Sequence, residues 1–205
     1  MKGIFSITFA ICSCIGTLAV NTNNNRAITS NHPYHFLYRA EMIVQQPDTA
    51  VPVRIQLEKT SFDDLVILFI SDTARQTQDI GPIFSKDYGE LMIFAQQNQL
   101  KPKKFLAWYH SVQPPWIMEI AMETDKLPST LNGRVKSRIE KGGEVLIAHM
   151  WGPYSELSQS YIQIEKWLKQ NNRMARANPF EVYINDPSAV KDPSDIQTDI
   201  YQPLQ

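Results

Sequence analysis

Apolar residues recur at steps of three and four along the segment from Tyr154 onward: Tyr154, Leu157, Tyr161, Ile164 and Leu168. The intervening positions carry Glu156, Gln159, Gln163, Lys166 and Lys169. This spacing predicts an amphipathic helix with one face laid on a sheet. An earlier stripe, Ile80, Phe84, Tyr88, Leu91 and Ala95, predicts a second helix of the same kind. Each stripe follows a short unbroken apolar run, Leu65–Ile70 and Val145–Met150, of the length expected for a buried strand. The glycine pair Gly142-Gly143 opens the later run and a Gly152-Pro153 corner closes it. Pro153 has its φ pre-set for a first helical position.

The two halves of the chain share an order. Val53–Lys59 resembles Val135–Lys141, and Gln96-Gln97-Asn98 resembles Gln170-Asn171-Asn172. Tyr109 takes the place of Tyr183, and Trp116–Met122 that of Ile196–Gln202. Each half therefore reads as strand, strand, helix, strand, strand, over about residues 51–125 and 134–204. Two such units point to a pseudo-twofold domain, not a solenoid. Lys126–Gly133, with Pro128, Ser129, Asn132 and Gly133, reads as the linker, and 187–193 as a turn-rich loop over the cleft. His35–Val44 reads as a possible edge strand.

At 205 residues and 43% hydrophobic content the chain suits a soluble globular domain. A formal charge of −1 offers no basic footprint for nucleic acid. Basic residues at Lys101, Lys103 and Lys104, and at Arg173 and Arg176, read as cations near helix C-termini. Residues 3–20 contain no charge and follow Lys2, the pattern of a signal peptide or a single membrane span. The polar run Asn21–Asn25 then serves as a tether, so 1–25 is a targeting or anchoring segment and 26–205 the domain. An exported or membrane-anchored protein of the cell envelope is expected. Both cysteines, Cys12 and Cys14, lie in that segment, which leaves the domain no disulfide, thiolate nucleophile or cysteine-based zinc site.

The stretch Gly142–Tyr154, with Asn178-Pro179-Phe180-Glu181-Val182-Tyr183-Ile184-Asn185-Asp186-Pro187 and Thr198-Asp199-Ile200-Tyr201-Gln202-Pro203, resembles the GyrI-like effector-binding family. Its members occur behind AraC-type and MerR-type regulators and as stand-alone proteins. Two departures stand out: Trp151 is inserted before the Gly-Pro corner, and Asp199 replaces the usual glutamate. The resemblance implies an α+β fold of two pseudo-symmetric strand-helix-strand-strand modules, whose antiparallel sheets form a central cleft. It also implies that a buried glutamate among aromatic residues takes amphiphilic cations, a role that falls here on Glu119 and on Asp199.

Strand alternation assigns faces. Phe180, Val182 and Ile184 are expected to point to a helix, and Glu181 and Tyr183 away from it. Glu119 shares a face with Ile117 and Ala121, and Asp199 with Tyr201. The face away from the helices is thus expected to gather Tyr109, Glu119, Tyr183, Asp199 and Tyr201, with Trp151 and Trp116 close to strand ends. Aromatic faces with a carboxylate suit a lipophilic cation. Desolvation in such a cavity is expected to raise the Glu119 pKa. The expected partner is a small amphiphilic molecule, cationic or aromatic.

The histidines, His32, His35, His110 and His149, have no metal-ligand spacing, and no cofactor or metal is implied. His149 reads as a packed, hydrogen-bonded residue. No nucleophile-and-base pattern is present, so no catalytic residue is assigned. Binding of an amphiphile is the first reading. A hydrolase, with Glu119 or Asp199 activating water beside Tyr183, and a protein-interaction module are the alternatives; oligomeric state stays open.

Overall fold

The computed structural model describes residues 53–205. The expectations for 1–25, including the membrane or signal segment, and for the strand at 35–44 lie outside the described residues. Among the described residues no helix is long and apolar enough to cross a membrane.

Eight strands form one continuous sheet: β1 (Arg54–Phe62), β2 (Leu65–Ala74), β3 (Pro102–Tyr109), β4 (Trp116–Thr124), β5 (Lys136–Glu140), β6 (Gly143–Trp151), β7 (Phe180–Tyr183) and β8 (Gln197–Pro203). Helix α1 (Ile80–Gln97) follows β2, and α2 (Leu157–Gln170) follows β6. The expected α+β class and antiparallel pairing are observed. The strand order is β1-β6-β8-β7-β3-β4-β2-β5. Exchanging β1–β4 with β5–β8 reverses this order onto itself, so the centre falls between β7 and β3. The halves are not self-contained: β1 pairs with β6 and β5 with β2, each first strand crossing to the other half. The sheets of the two expected modules are therefore one sheet.

Chain economy forces that sheet to curl. β1 and β2 stand near opposite flanks, yet only Asp63 and Asp64 join them; Lys141 and Gly142 alone join β5 to β6. The flanks must meet where these connections cross. Asp64 accepts the Gly142 N–H at 2.9 Å and the Lys141 ammonium at 2.7 Å. A Cβ on Gly142 would stand 2.2 Å from the Phe62 carbonyl oxygen, so only glycine lets the two connections touch.

Both helices cover the same face. Leu91 of α1 packs with Leu68, Ile70, Met118, Ile120 and Met122, all buried. Tyr161 and Ile164 of α2 pack with Leu146, Ala148 and Ile200. On the opposite face, inside the curl, Ile67, Leu106, Trp108, Phe180 and Val182 form a separate core. Pro153 is extended (φ −70°, ψ 152°) and precedes a 3-10 turn at Tyr154–Glu156, so it lies just outside the helix instead of in its first position. Lys103 and Lys104 sit on β3 and not behind a helix; both approach the carboxylate of Glu123, at 3.2 and 3.8 Å.

Candidate ligand-binding site

β7 is central and covered on both sides. Its first three residues are all buried, which erases the polar-apolar alternation that would reveal its orientation. The structure reverses the expected facing. Phe180 and Val182 lie inside the curl, whereas Glu181 and Tyr183 face the helices. The six candidate residues consequently divide. Tyr109 and Tyr183 pack against the α1 side. Glu119, Trp151, Asp199 and Tyr201 belong to the other face. They do not line one cavity, and a hydrolytic pairing of Glu119 or Asp199 with Tyr183 is ruled out by the intervening sheet.

Inside the curl the carboxylates already have partners. Glu119 accepts from Arg138 Nη1 at 2.5 Å and lies 3.6 Å from His110 Nε2. Burial pushes the Glu119 carboxyl up, but the bonds from His110 and Arg138 outweigh it and hold the group below its ordinary range. The expected rise does not occur. The Arg138 guanidinium also lies 4.6 Å from the Phe69 ring and 4.7 Å from that of Trp108. The chain's own arginine thus occupies the aromatic cation position assigned to a ligand. Asp199 is within 3.0 Å of His149 Nδ1, whose Nε2 is 3.3 Å from Glu58. Arg54 lies over the Trp151 ring at 3.9 Å. Tyr201 stacks on Phe180 at 5.1 Å, and Phe180 on Trp108 at 4.7 Å.

The helix side differs in one respect that matters chemically. Glu181 is 3% exposed and sits in the middle of the sheet, opposite Ala107 on β3 and Ile200 on β8. It accepts hydrogen bonds from the Tyr161 hydroxyl at 2.8 Å and from the Tyr183 hydroxyl at 2.7 Å. No cationic side chain pairs with it among the described residues. Burial pushes its carboxyl above the ordinary carboxylate range, and the bonds from Tyr183 and Tyr161 offset this only in part.

Aromatic rings surround that carboxylate. Tyr154 meets Tyr183 edge-on at 5.8 Å, Tyr183 meets Phe84 at 6.0 Å, and Phe84 stacks on Tyr109 at 6.3 Å. Trp116 closes the row, 6.5 Å from Tyr109. Beneath it, Tyr88 donates to the Leu106 carbonyl at 2.8 Å. Burial and the neighbouring Glu181 push the hydroxyl pKa of Tyr154 and Tyr183 upward, which keeps both as neutral hydrogen-bonding groups. The Tyr154 hydroxyl and the Trp116 indole N–H are shielded from solvent and have no hydrogen-bond partner among the described residues. Tyr109, Tyr154, Tyr183 and Trp116 are each only partly buried, so the row reaches the surface.

Residues not assigned to the site from sequence are Glu181, Tyr154, Tyr161 and Tyr88. One signal was available for Glu181: it alternates with Tyr183 and must share its face. The tyrosines were legible only as members of the apolar stripes; they come from α1, α2 and the turn before α2, which only the fold brings together around Glu181.

Residues 88–205 match the GyrI-like small molecule binding domain. The chain belongs to the GyrI-like family. The fold of this GyrI-like domain recurs in EcmrR, solved with DNA in the EcmrR-RPo assembly (TM-score 0.65, 15% identity, 74% of this chain and 57% of that chain). The GyrI-like chain thus spans just over half of that EcmrR chain. The isolated EcmrR C-terminal domain aligns over 98% of its length and 74% of this chain, with TM-score 0.60 at 15% identity. A hydrolase from Listeria innocua has TM-score 0.52 at 11% identity, over 73% of this chain and 92% of that one. SAV2435, solved bound to tetraphenylphosphonium, has TM-score 0.51 at 13% identity, over 73% and 94%. No curated protein matches by sequence.

Proposed function

We propose that this GyrI-like domain binds a small amphiphilic cation at Glu181, within the row formed by Tyr154, Tyr183, Tyr109 and Phe84. A single observation carries the reading. Glu181 is a buried carboxylate with tyrosine donors and, among the described residues, no cationic side chain beside it, whereas Glu119 is paired with Arg138 and Asp199 lies 3.0 Å from His149 Nδ1. Burying an ion without a partner is costly, so an empty site holds that cost until a cation arrives. The aromatic faces add attraction of ~0.5–2 kcal/mol each to a desolvated cation. The tetraphenylphosphonium complex of the structurally similar SAV2435 supports this ligand class.

Titration with tetraphenylphosphonium and with neutral triphenylphosphine oxide tests it. Glu181→Gln should weaken the cation at least tenfold and the neutral compound by less than twofold. Equal losses for both compounds, or none for either, would remove Glu181 from the site.

The reading extends to the chain's location: the domain acts outside the cytoplasm or at a membrane surface. The uncharged run 3–20 behind Lys2, followed by Asn21–Asn25, supports this. Fractionation of the full chain is the test; intact Met1 on wholly soluble cytoplasmic protein would overturn it.

A further inference from the structure

The aromatic row on the helix side ends in a group that a plain lipophilic cation does not use. Trp116 opens β4, packs on Tyr109, and holds its indole N–H away from solvent without a partner among the described residues. An indole nitrogen donates and cannot accept. The Tyr154 hydroxyl is equally unpartnered, but it can donate or accept and so dictates nothing about a ligand. The Trp116 N–H does dictate: only an acceptor satisfies it, and a buried donor left unmade is unfavourable. Successive ring centroids lead from Tyr183, which bonds Glu181, to Phe84 at 6.0 Å, Tyr109 at 6.3 Å and Trp116 at 6.5 Å. The two polar demands, a cation at one end and an acceptor at the other, are thus joined by a row of ring contacts in which Phe84 is buried.

We propose that the ligand is bifunctional: a cationic centre at Glu181 and, on an apolar arm lying along Phe84 and Tyr109, a hydrogen-bond acceptor that takes the Trp116 indole N–H. This rests on the reading of Glu181 above. It selects among amphiphilic cations those that carry a carbonyl, ester or ether oxygen away from the charge, and it disfavours cations whose arms end in hydrocarbon.

Matched probes separate the two claims. Triphenylphosphonium cations with alkyl arms of two to six carbons are compared with the same arms ending in a methyl ester. In the wild-type domain, at one arm length or more, the ester should bind at least fivefold tighter than the plain alkyl probe. Trp116→Phe keeps a ring and removes the N–H, and should bring the pair within twofold. The indole 15N–1H resonance of Trp116 in the wild-type protein should move with the ester probe and stay with the alkyl probe, a readout that survives if the variant does not fold. No ester advantage at any length, or an unresponsive indole resonance, overturns the acceptor while leaving Glu181 standing, provided Glu181→Gln weakens both probes. If neither cation binds the wild-type domain, the Glu181 reading fails and takes this one with it.

Discussion

Replacing Glu181 by glutamine changes one atom in kind and almost nothing in shape, and its effect on stability should depend on pH. The glutamine oxygen can accept from one tyrosine hydroxyl while its amide donates to the other, so both contacts, 2.8 Å to Tyr161 and 2.7 Å to Tyr183, can persist. Charge-assisted bonds contribute about 1.5–3 kcal/mol and neutral ones about 0.5–1.5, so the swap sacrifices about 2–3 kcal/mol over the two bonds. Against this stands the effective desolvation of a buried carboxylate, several kcal/mol per ion, which the amide avoids. The raised Glu181 pKa says that desolvation wins. The net gain at pH 8 should then be on the order of 1–2 kcal/mol. The sign follows from linkage: a carboxyl whose folded pKa is raised contributes fully below its unfolded value, about 4.3, and loses that contribution as pH rises through the folded value. Glu181→Gln should therefore match the wild type near pH 4 and exceed it increasingly towards pH 8. Urea unfolding of both proteins across that range measures the difference, and other titrating groups cancel in the comparison. Parallel pH curves, or a variant that gains towards acid, would refute the claim that an unmatched carboxylate is buried here.

Further outcomes follow from the same geometry. Phe180→Ala empties a fully buried ring position between Trp108 and Tyr201 and should cost about 3–5 kcal/mol by chemical denaturation. Gly142→Ala, whose Cβ would meet the Phe62 carbonyl oxygen at 2.2 Å, should destabilise, whereas Gly89→Ala on the open face of α1 should stabilise by about 0.5–1 kcal/mol; paired thermal melts decide both. Glu119→Gln should leave tetraphenylphosphonium affinity within twofold of wild type by fluorescence titration, because Arg138 already occupies its aromatic neighbours. The lowered Glu119 pKa stabilises the fold above about pH 4.3 and is lost below it, so the wild type's advantage over Arg138→Ala in urea should shrink on acidification.

The elements were legible in the sequence because each is set by local chemistry. The three-and-four spacing of Ile80 to Ala95 and of Tyr154 to Leu168 marks surfaces that must be buried, and α1 and α2 form there. The apolar runs at Leu65–Ile70 and Val145–Met150 became β2 and β6, and the motifs around Gly152, Phe180 and Thr198 pointed to the family. Pairing across the halves was not legible, because the lengths of two linkers, not strand composition, decide that β1 joins β6 and β5 joins β2. The same is true of which way β7 faces: Phe180-Glu181-Val182 is buried on both sides, and either side could have met the helices on pattern alone. That choice moved the candidate carboxylate from Glu119 to Glu181. A carboxylate's role depends on whether a cation stands beside it, and that is a property of tertiary neighbours: Arg138 comes from β5 to neutralise Glu119, while among the described residues no cation comes to Glu181.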